Sequence, residues 1–157
     1  FIMAEITAYF ESYRHVLEGL QKMVEIPLEQ YIISCKREIN PPRYLHRDMC
    51  YSIASIMNEV YDHYPVPVLN DIEWPNADST MLNDSQLDAL KLALTNEMTL
   101  IQGPPGTGKT YVGLKIMRII LENKIMKRVI GNKGPILVVC FTNHALDQFL
   151  EGILEFC

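Results

Sequence analysis

The stretch that decides the fold is Gly103-Pro104-Pro105-Gly106-Thr107-Gly108-Lys109-Thr110, which matches the phosphate-binding pattern G-x-x-x-x-G-K-[ST] at every position. In such a loop the glycines let successive backbone N–H groups turn toward phosphate oxygens. The lysine reaches the β- and γ-phosphates, and the hydroxyl that follows helps to hold Mg²⁺. The stretch therefore predicts a site for ATP and Mg²⁺. We assign Lys109 to the phosphates and Thr110 to the metal, and we include the adjacent Tyr111 in the nucleotide site.

The residues on either side of the loop have the pattern of a parallel α/β fold. Apolar runs at 98–101 and 135–141 predict two buried strands, and residues 109–123 between them have apolar residues at helical spacing. The right-handed crossover of one βαβ unit makes both strands parallel and brings their carboxyl ends to one edge. Because a parallel sheet needs more strands than these two, we expect the chain to be a fragment of a longer domain.

Charge and cysteine content limit the class of protein. The net charge of −5 comes from residues 1–75, with six Lys or Arg against eleven Asp or Glu, whereas residues 76–157 carry eight of each. This balance argues against a general electrostatic nucleic-acid binder. No apolar stretch is long enough to span a bilayer. The four cysteines lack C-x-x-C spacing and predict reduced thiols in the cytoplasm or nucleus.

The sequence divides into an accessory region, residues 1–75, and an ATPase domain, residues 76–157. The accessory region is expected to be mostly helical, with an apolar stripe typical of a packing face, a strand over residues 31–35, and a proline-rich linker at its end. The stripe consists of Ile6, Phe10, Tyr13, Leu17, Leu20 and Val24. A weaker alternative is a metal site at Cys35, His46 and Cys50, which lacks a fourth ligand at a standard spacing.

Two further features each have two interpretations. Asn83 and Gln86 have the spacing of a helix capping box. A glutamine amide also suits the N6/N7 edge of adenine. From the residues alone, the capping role and the adenine contact of Gln86 are equally well supported. A basic cluster fits either a solvated loop, which is favoured, or a contact with a phosphate backbone. The cluster consists of Lys124, Lys127, Arg128 and Lys133.

Taken together, the motifs resemble those of superfamily 1 helicases. L-N-x-x-Q, G-P-P-G-T-G-K-T and T-N-H-A-L-D are similar to the Q motif, motif I and motif Ia. The group is the one that contains the nonsense-mediated-decay helicase, senataxin, Aquarius and the NFX-type zinc-finger helicases. The resemblance implies the amino-terminal portion of a RecA-like P-loop NTPase domain in an ATP-dependent RNA helicase or translocase. It also implies that Gln86 contacts adenine and that Thr142, Asn143 and His144 contact single-stranded nucleic acid. Thr142 or Asn143 also fits a helix N-cap, and the two roles are compatible.

Two other function classes remain open. One alternative is an AAA+ or other P-loop ATPase that remodels proteins, because AAA+ ATPases contain the same phosphate-loop sequence. The other is an ATP-gated RNA-binding scaffold, which would need little hydrolysis. In helicases the acidic motif that serves Mg²⁺ and water lies on a later strand, past Cys157, so we expect catalysis to require the full-length protein. Single-stranded RNA is the expected partner, with DNA as the alternative, and the sequence indicates no protein partner.

Overall fold

The computed structural model describes residues 11–123 and 135–157. The helices in this part of the chain are α1 (Glu11–Lys22), α2 (Glu29–Ile32), α3 (Asp84–Thr95), α4 (Lys109–Glu122) and α5 (Asn143–Leu154). The strands are β1 (Cys50–Ser52) and β2 (Pro65–Pro67), and single 3₁₀ turns cover Ala54–Ile56, Asp71–Glu73 and Ala77–Ser79. None of these helices is long and apolar enough to cross a membrane.

The chain forms two compact units, one ending at Arg37 and the other covering residues 38–157. In the first unit the apolar stripe of α1 is exposed, with Tyr13, Leu17 and Leu20 retaining 44–66% of their accessible surface. The stripe residues Ile6 and Phe10 lie outside the described residues. The expected packing face is therefore not covered in the described part of this unit.

The predicted strand over residues 31–35 is wrong, because the backbone there closes helical turns. α2 ends at Ile32, and the N–H of Ile33 then donates to the carbonyl of Glu29 at 2.9 Å. The N–H of Lys36 donates to the carbonyl of Gln30 at the same distance. These local bonds satisfy groups that a strand would have to pair with a neighbouring strand.

The second unit is built around one apolar core that residues 38–82 share with α3 and α4. Buried residues from both sources form a single cluster, so the expected domain boundary after residue 75 falls inside this unit. The fully or almost fully buried members are Tyr51, Ile53, Ile56, Val66, Val68, Leu90 and Ile119. The phosphate loop is thus mounted on a helix whose buried face packs against the segment expected to be accessory.

A short antiparallel sheet positions this segment. Tyr51 of β1 pairs with Val66 of β2, and prolines flank Val66 on both sides. Proline cannot donate a ladder hydrogen bond, which keeps the sheet short. The side chain of Asn123, at the end of α4, accepts from the Ser52 N–H at 2.7 Å and donates to the Ser52 carbonyl at 2.8 Å. One amide therefore replaces a neighbouring strand and ties β1 to α4.

The two apolar runs predicted as parallel strands do not form strands in the described residues. Side chains alternate between exposed and half-buried along residues 135–141, and Leu137, Val139 and Phe141 retain 79–104% of their accessible surface. Leu100 in the other run is 83% exposed. A strand needs a partner for its N–H and C=O groups, and no described residue supplies one to either run. The α/β class with a parallel sheet stays a prediction about the complete domain.

Candidate functional site

The phosphate loop connects the region after α3 to the first residue of α4. Gly106 and Gly108 have φ angles of 82° and 84°, a left-handed conformation that favours glycine. Gly108 is also closely packed, since a Cβ there would lie 2.6 Å from Nε2 of Gln86. α4 begins at Lys109 immediately after this turn. Its first backbone N–H groups therefore point out of the helix beside the loop, which is the arrangement that binds anions.

Gln86 joins the start of α3 to the phosphate loop. Its Oε1 accepts from the N–H of Asn83 at 3.1 Å, and its own N–H donates to Oδ1 of Asn83 at 3.0 Å. Both bonds of the capping box are thus present, which confirms the capping role. Its Nε2 donates to the carbonyl of Thr107 at 3.1 Å. The adenine contact stays a prediction, and it would compete with these bonds for the same amide.

Lys109 closes the loop on itself. Its Nζ donates to the carbonyls of Gly103 at 2.7 Å and Pro104 at 2.8 Å, and the Thr107 hydroxyl also donates to Pro104 at 2.9 Å. An ammonium has three donors and no acceptor. Phosphate oxygens are charged acceptors that form stronger bonds with it than neutral carbonyls do. The lysine is therefore placed to exchange loop carbonyls for phosphate.

A cavity of about 490 Å³ lies between the start of α3 and the phosphate loop, within the usual size range of ligand sites. Five of the predicted nucleotide-site residues line it, namely Gln86, Gly103, Pro104, Thr107 and Lys109. Pro105, Gly106, Gly108, Thr110 and Tyr111 are not among its lining residues. Ser85 and Gln102 also line it and were not assigned from sequence. In the sequence, the one feature that could have indicated these two residues is that they directly precede Gln86 and Gly103.

A larger cavity of about 600 Å³ lies between α4 and residues 52–63. Three carboxylates line it, those of Glu59, Asp62 and Glu122, together with the cations of Lys115 and Arg118. The phosphate loop takes no part in it. Because the larger cavity offers neither converging backbone N–H groups nor an excess of positive charge, the smaller cavity is the better candidate for a nucleotide site.

Lys115, in the wall of this larger cavity, is a half-buried cation. Its Nζ donates to the carbonyl of Ser55 at 3.1 Å and lies 5.3 Å from the ring centre of Tyr111. Burial lowers the pKa of Lys115 from its ordinary 10.5, and the neighbouring charge of Arg118 lowers it further. The residue therefore links α4 to the 3₁₀ turn after β1.

The predicted nucleic-acid contacts lie at the start of α5. The Thr142 hydroxyl accepts from the N–H of Ala145 at 3.2 Å, so Thr142 is the N-cap that the sequence suggested. Asn143 and His144 occupy the first turn and are exposed. The structure thus presents two short polar side chains and a helix N-terminus at one place.

The two site-bearing helices run in the same direction. A Cβ on Gly113 would touch Phe149, Leu114 lies against Gly152, and the Arg118 guanidinium lies 5.7 Å from the ring centre of Phe156. Residue numbers therefore increase together along α4 and along the segment formed by α5 and the residues that follow it. The N-termini, which carry the phosphate loop and the Thr142 turn, therefore lie at the same end of the helix pair.

In residues 11–123 and 135–157, no group of three or more His, Cys, Asp or Glu side chains is placed to hold a metal ion. The alternative metal site at Cys35, His46 and Cys50 therefore has no support in this part of the chain. The basic cluster, consisting of Lys124, Lys127, Arg128 and Lys133, lies outside the described residues.

Comparison with known proteins gives matches along the whole chain. Residues 81–156 match a family model described as "AAA domain". "NFX1-type zinc finger-containing protein 1" of Homo sapiens is 47% identical over 98% of this chain, and "Helicase required for RNAi-mediated heterochromatin assembly 1" of Schizosaccharomyces pombe is 36% identical over 99%. The chain spans 9% and 15% of these two proteins.

A shorter match is that to "ATP-dependent helicase upf1" of Schizosaccharomyces pombe, 37% identical over 54% of this chain and 9% of the relative. No solved structure matches the chain significantly. The description of the family model does not by itself separate helicases from AAA+ ATPases. That distinction comes from the relatives that are named helicases and from the L-N-x-x-Q and T-N-H-A-L-D motifs. The family implies a RecA-like α/β fold for this region. Residues 81–156 therefore belong to the superfamily 1 helicases, which confirms the resemblance predicted from the motifs.

Proposed function

We propose that the full-length protein is an ATP-dependent helicase or translocase that acts on single-stranded RNA. This chain would supply its phosphate loop, its adenine contact and its first nucleic-acid contact. The observation that carries the proposal is the parallel course of α4 and α5, because it brings the phosphate loop and the Thr142 turn to the same end of this helix pair. In the cell we expect the protein in the cytoplasm or nucleus, where its free cysteines would stay reduced.

The loop residues fit ATP and Mg²⁺. Gly106 and Gly108 hold the backbone in the conformation that turns N–H groups toward phosphate. Lys109 lines the cavity, and its ammonium donates to neutral carbonyl oxygens that phosphate oxygens can replace. Bound Mg²⁺ would neutralise the charge that develops on the phosphates, and the Thr110 hydroxyl, at the first turn of α4, would hold it. Gln86 would orient the adenine, and an acidic side chain elsewhere in the full-length protein would direct the attacking water.

The nucleic-acid contact needs no strongly basic surface. Asn143 and His144 are exposed at the N-terminus of α5, where side-chain and backbone donors suit a phosphate oxygen. The preference for RNA rests on the relative named "Helicase required for RNAi-mediated heterochromatin assembly 1". DNA is the alternative substrate, and an ATP-gated RNA-binding scaffold with little hydrolysis is the alternative function.

Lys109→Ala in the full-length protein tests the nucleotide half of this proposal. We expect ATP hydrolysis to be abolished with the fold unchanged, because Lys109 contacts the loop and the cavity and is exposed. Lys22→Ala is the matched control, since that lysine is exposed at the end of α1. Hydrolysis at the wild-type rate in Lys109→Ala would refute the assignment of the loop.

Asn143→Ala tests the RNA half. We expect lower stimulation of the ATPase by single-stranded RNA, with ATP affinity unchanged and a nearly unchanged salt dependence of RNA binding, since a neutral contact releases few counterions. Thr142→Ser is the control, because serine keeps the cap hydroxyl that the Ala145 N–H requires. Undiminished stimulation would show that Asn143 does not contact RNA, and would refute this part of the proposal.

A further inference from the structure

We propose that Gly113 and Gly152 are positioning residues that fix the Thr142 turn relative to the phosphate loop, so that ATP binding and RNA binding are linked through the contact of α4 with α5. The inference rests on the proposed function and adds a route by which its two sites communicate. It concerns neither ligand directly, because neither glycine lies in the loop or in the turn.

The two glycines make a reciprocal contact. A Cβ on Gly113 of α4 would lie 3.2 Å from Cε2 of Phe149, which is on α5. A Cβ on Gly152 of α5 would lie 2.7 Å and 2.9 Å from the two methyl carbons of Leu114, which is on α4. Each helix therefore places one large side chain over the missing side chain of the other. An added methyl at 152 therefore requires the Leu114 side chain to shift.

Glycine inside a helix has a cost that this packing explains. An interior glycine destabilises a helix by about 1 kcal/mol relative to alanine. Gly19, in α1, shows the case without packing, since an added Cβ would meet nothing within 4 Å. At 113 and 152, by contrast, alanine would force either a side chain or a whole helix to move. Since α4 starts at Lys109 and α5 at Asn143, a movement of either helix changes the distance between the two candidate sites.

The contact also lies close to both sites and is held at its far end. Gly113 is one helical turn from Lys109, and Phe149 is less than two turns from Asn143. Farther along, the Arg118 guanidinium lies over the ring of Phe156 and is paired with Glu122 at 2.7 Å. Packed helices with contacts at several levels shift together and do not deform continuously. A displacement caused by phosphate at Lys109 would therefore reach the Thr142 turn.

The test measures linkage in the full-length protein. The affinity for a single-stranded RNA oligonucleotide is determined with and without a non-hydrolysable ATP analogue, and the ratio of the two values gives the coupling. In Gly152→Ala we expect this ratio to move toward one by roughly two- to thirtyfold. The affinity for the analogue without RNA should remain within about twofold of wild type.

Three further variants separate coupling from general damage. Gly19→Ala should keep the wild-type ratio. Leu114→Ala combined with Gly152→Ala should restore it, because the added methyl then occupies the space of the leucine side chain. Gly113→Ala should give a smaller effect, since its neighbour lies at 3.2 Å and an aromatic ring can shift slightly. This milder variant also keeps the inference testable if Gly152→Ala fails to fold.

Each outcome decides a different claim. If Gly152→Ala and Gly113→Ala keep the wild-type ratio, or lower only the melting temperature, the glycines are merely structural and the inference is wrong, whereas the proposed function stands. If wild-type protein binds RNA but the analogue leaves RNA affinity unchanged, the inference fails because there is no coupling to transmit. If wild-type protein neither binds RNA nor is stimulated by it, the proposed function itself fails.

Discussion

Two valines in apolar segments show how differently the two parts of this domain are built. Val66 lies in a strand of only three residues and is 1% exposed, whereas Val139 lies in a run of seven mostly apolar residues and is 79% exposed. Val66 is covered because Tyr51 pairs with it and because α3 and α4 close the same core. Burial therefore follows from the partners that the chain supplies and not from the length of the apolar run.

The phosphate loop sits at the border between these two parts. Its shape comes from short-range bonds, such as Lys109 to Gly103 and Thr107 to Pro104, and from one bond across to Gln86. Such geometry needs no completed sheet. The loop leads directly into α4. The buried face of α4 packs in the core that it shares with residues 38–82 and α3, and this packing holds the loop in place.

The largest expected effect on the free energy of unfolding comes from replacing a leucine by alanine in the covered part of the domain, and the same replacement in the exposed run provides the comparison. Leu90→Ala should lower the free energy of unfolding by about 2–5 kcal/mol, because Leu90 is fully buried in α3. In the 157-residue chain Leu137→Ala should change it by less than about 0.5 kcal/mol, because that side chain is 84% exposed. Urea denaturation of both variants measures the difference.

The same pair tests the predicted parallel sheet when it is repeated in the full-length protein. If further strands cover residues 135–141 there, Leu137→Ala should become as costly as a core substitution, about 2–5 kcal/mol. A cost that stays near zero in both proteins would show that this run is never a central strand. The exposure of Val139 would then reflect a true surface of the domain and not a missing partner.

A smaller effect is expected at Asn123, which joins the short sheet to α4. Its amide makes bonds to the N–H and carbonyl of Ser52 and to the carbonyl of Ile119, at 2.7–2.9 Å. Asn123→Ala should cost about 1–3 kcal/mol and leave a half-buried backbone N–H unpaired. Hydrogen exchange at the Ser52 amide should become faster in this variant.

Asn123→Asp is the matched control for that bond pattern. The aspartate keeps the acceptor for the Ser52 N–H but cannot donate to the Ser52 carbonyl, and its charge is unfavourable at a helix C-terminus. We therefore expect it to be at least as destabilising as alanine. Wild-type stability in Asn123→Asp would mean that the donated bonds contribute nothing to holding β1 on α4.

The next effect separates the two positive-φ glycines of the phosphate loop. Gly106→Ala should cost about 1–2 kcal/mol from left-handed strain alone, because an added Cβ meets nothing within 4 Å. Gly108→Ala carries the same strain and also displaces Nε2 of Gln86. It should therefore cost about 1 kcal/mol more and weaken ATP binding more strongly.

Removing the Gln86 side chain tests whether the additional destabilisation by Gly108→Ala comes from its conflict with Nε2 of Gln86. In a Gln86→Ala background, Gly108→Ala and Gly106→Ala should have similar effects on stability, because the side chain that conflicts with the new Cβ is absent. Thermal unfolding and titration with ATP give both quantities. A difference that persists without Gln86 would show that Gly108 is needed for a reason other than this contact.

The sequence predicted the local features of this site well for a physical reason. The loop glycines, the Asn83–Gln86 cap and the Thr142 cap each depend on residues close together in the chain, and each is present in the structure. The parallel strands stay a prediction, because strand pairing depends on residues that are distant along the chain. The strand over 31–35 was wrong for a related reason: apolar β-branched residues favour strands, yet nearby carbonyls satisfied their N–H groups first.

The sequence did not indicate how residues 38–75 join the loop helix. The contact depends on Asn123 and Lys115 reaching the backbone of Ser52 and Ser55, which lie 60 to 71 residues away along the chain. Neither residue belongs to a motif, and an amide or an ammonium has many acceptors to choose from. Only the packed core determines which backbone groups they meet.

The smallest expected effect concerns this second link and depends on pH. The pKa of Lys115 is lowered by burial and by Arg118, so between that lowered value and 10.5 the unfolded chain holds a proton that the folded chain has lost. The free energy of unfolding should therefore rise with pH across this window, because the charged lysine costs stability below it. The rise should be modest, since the side chain is only partly buried and solvent screens it.

Urea denaturation of wild type and Lys115→Met, from pH 8 to just above 10, isolates this contribution in the difference between the two curves. Burial raises the pKa of Tyr44, which acts in the opposite direction near pH 10, but that tyrosine is present in both proteins and cancels. Lys115→Arg should also remove the rise, because a guanidinium keeps its charge throughout the window. A wild-type curve parallel to both variants would show that Lys115 is as well solvated as a surface lysine, and that the core side of α4 is less closed than its contacts indicate.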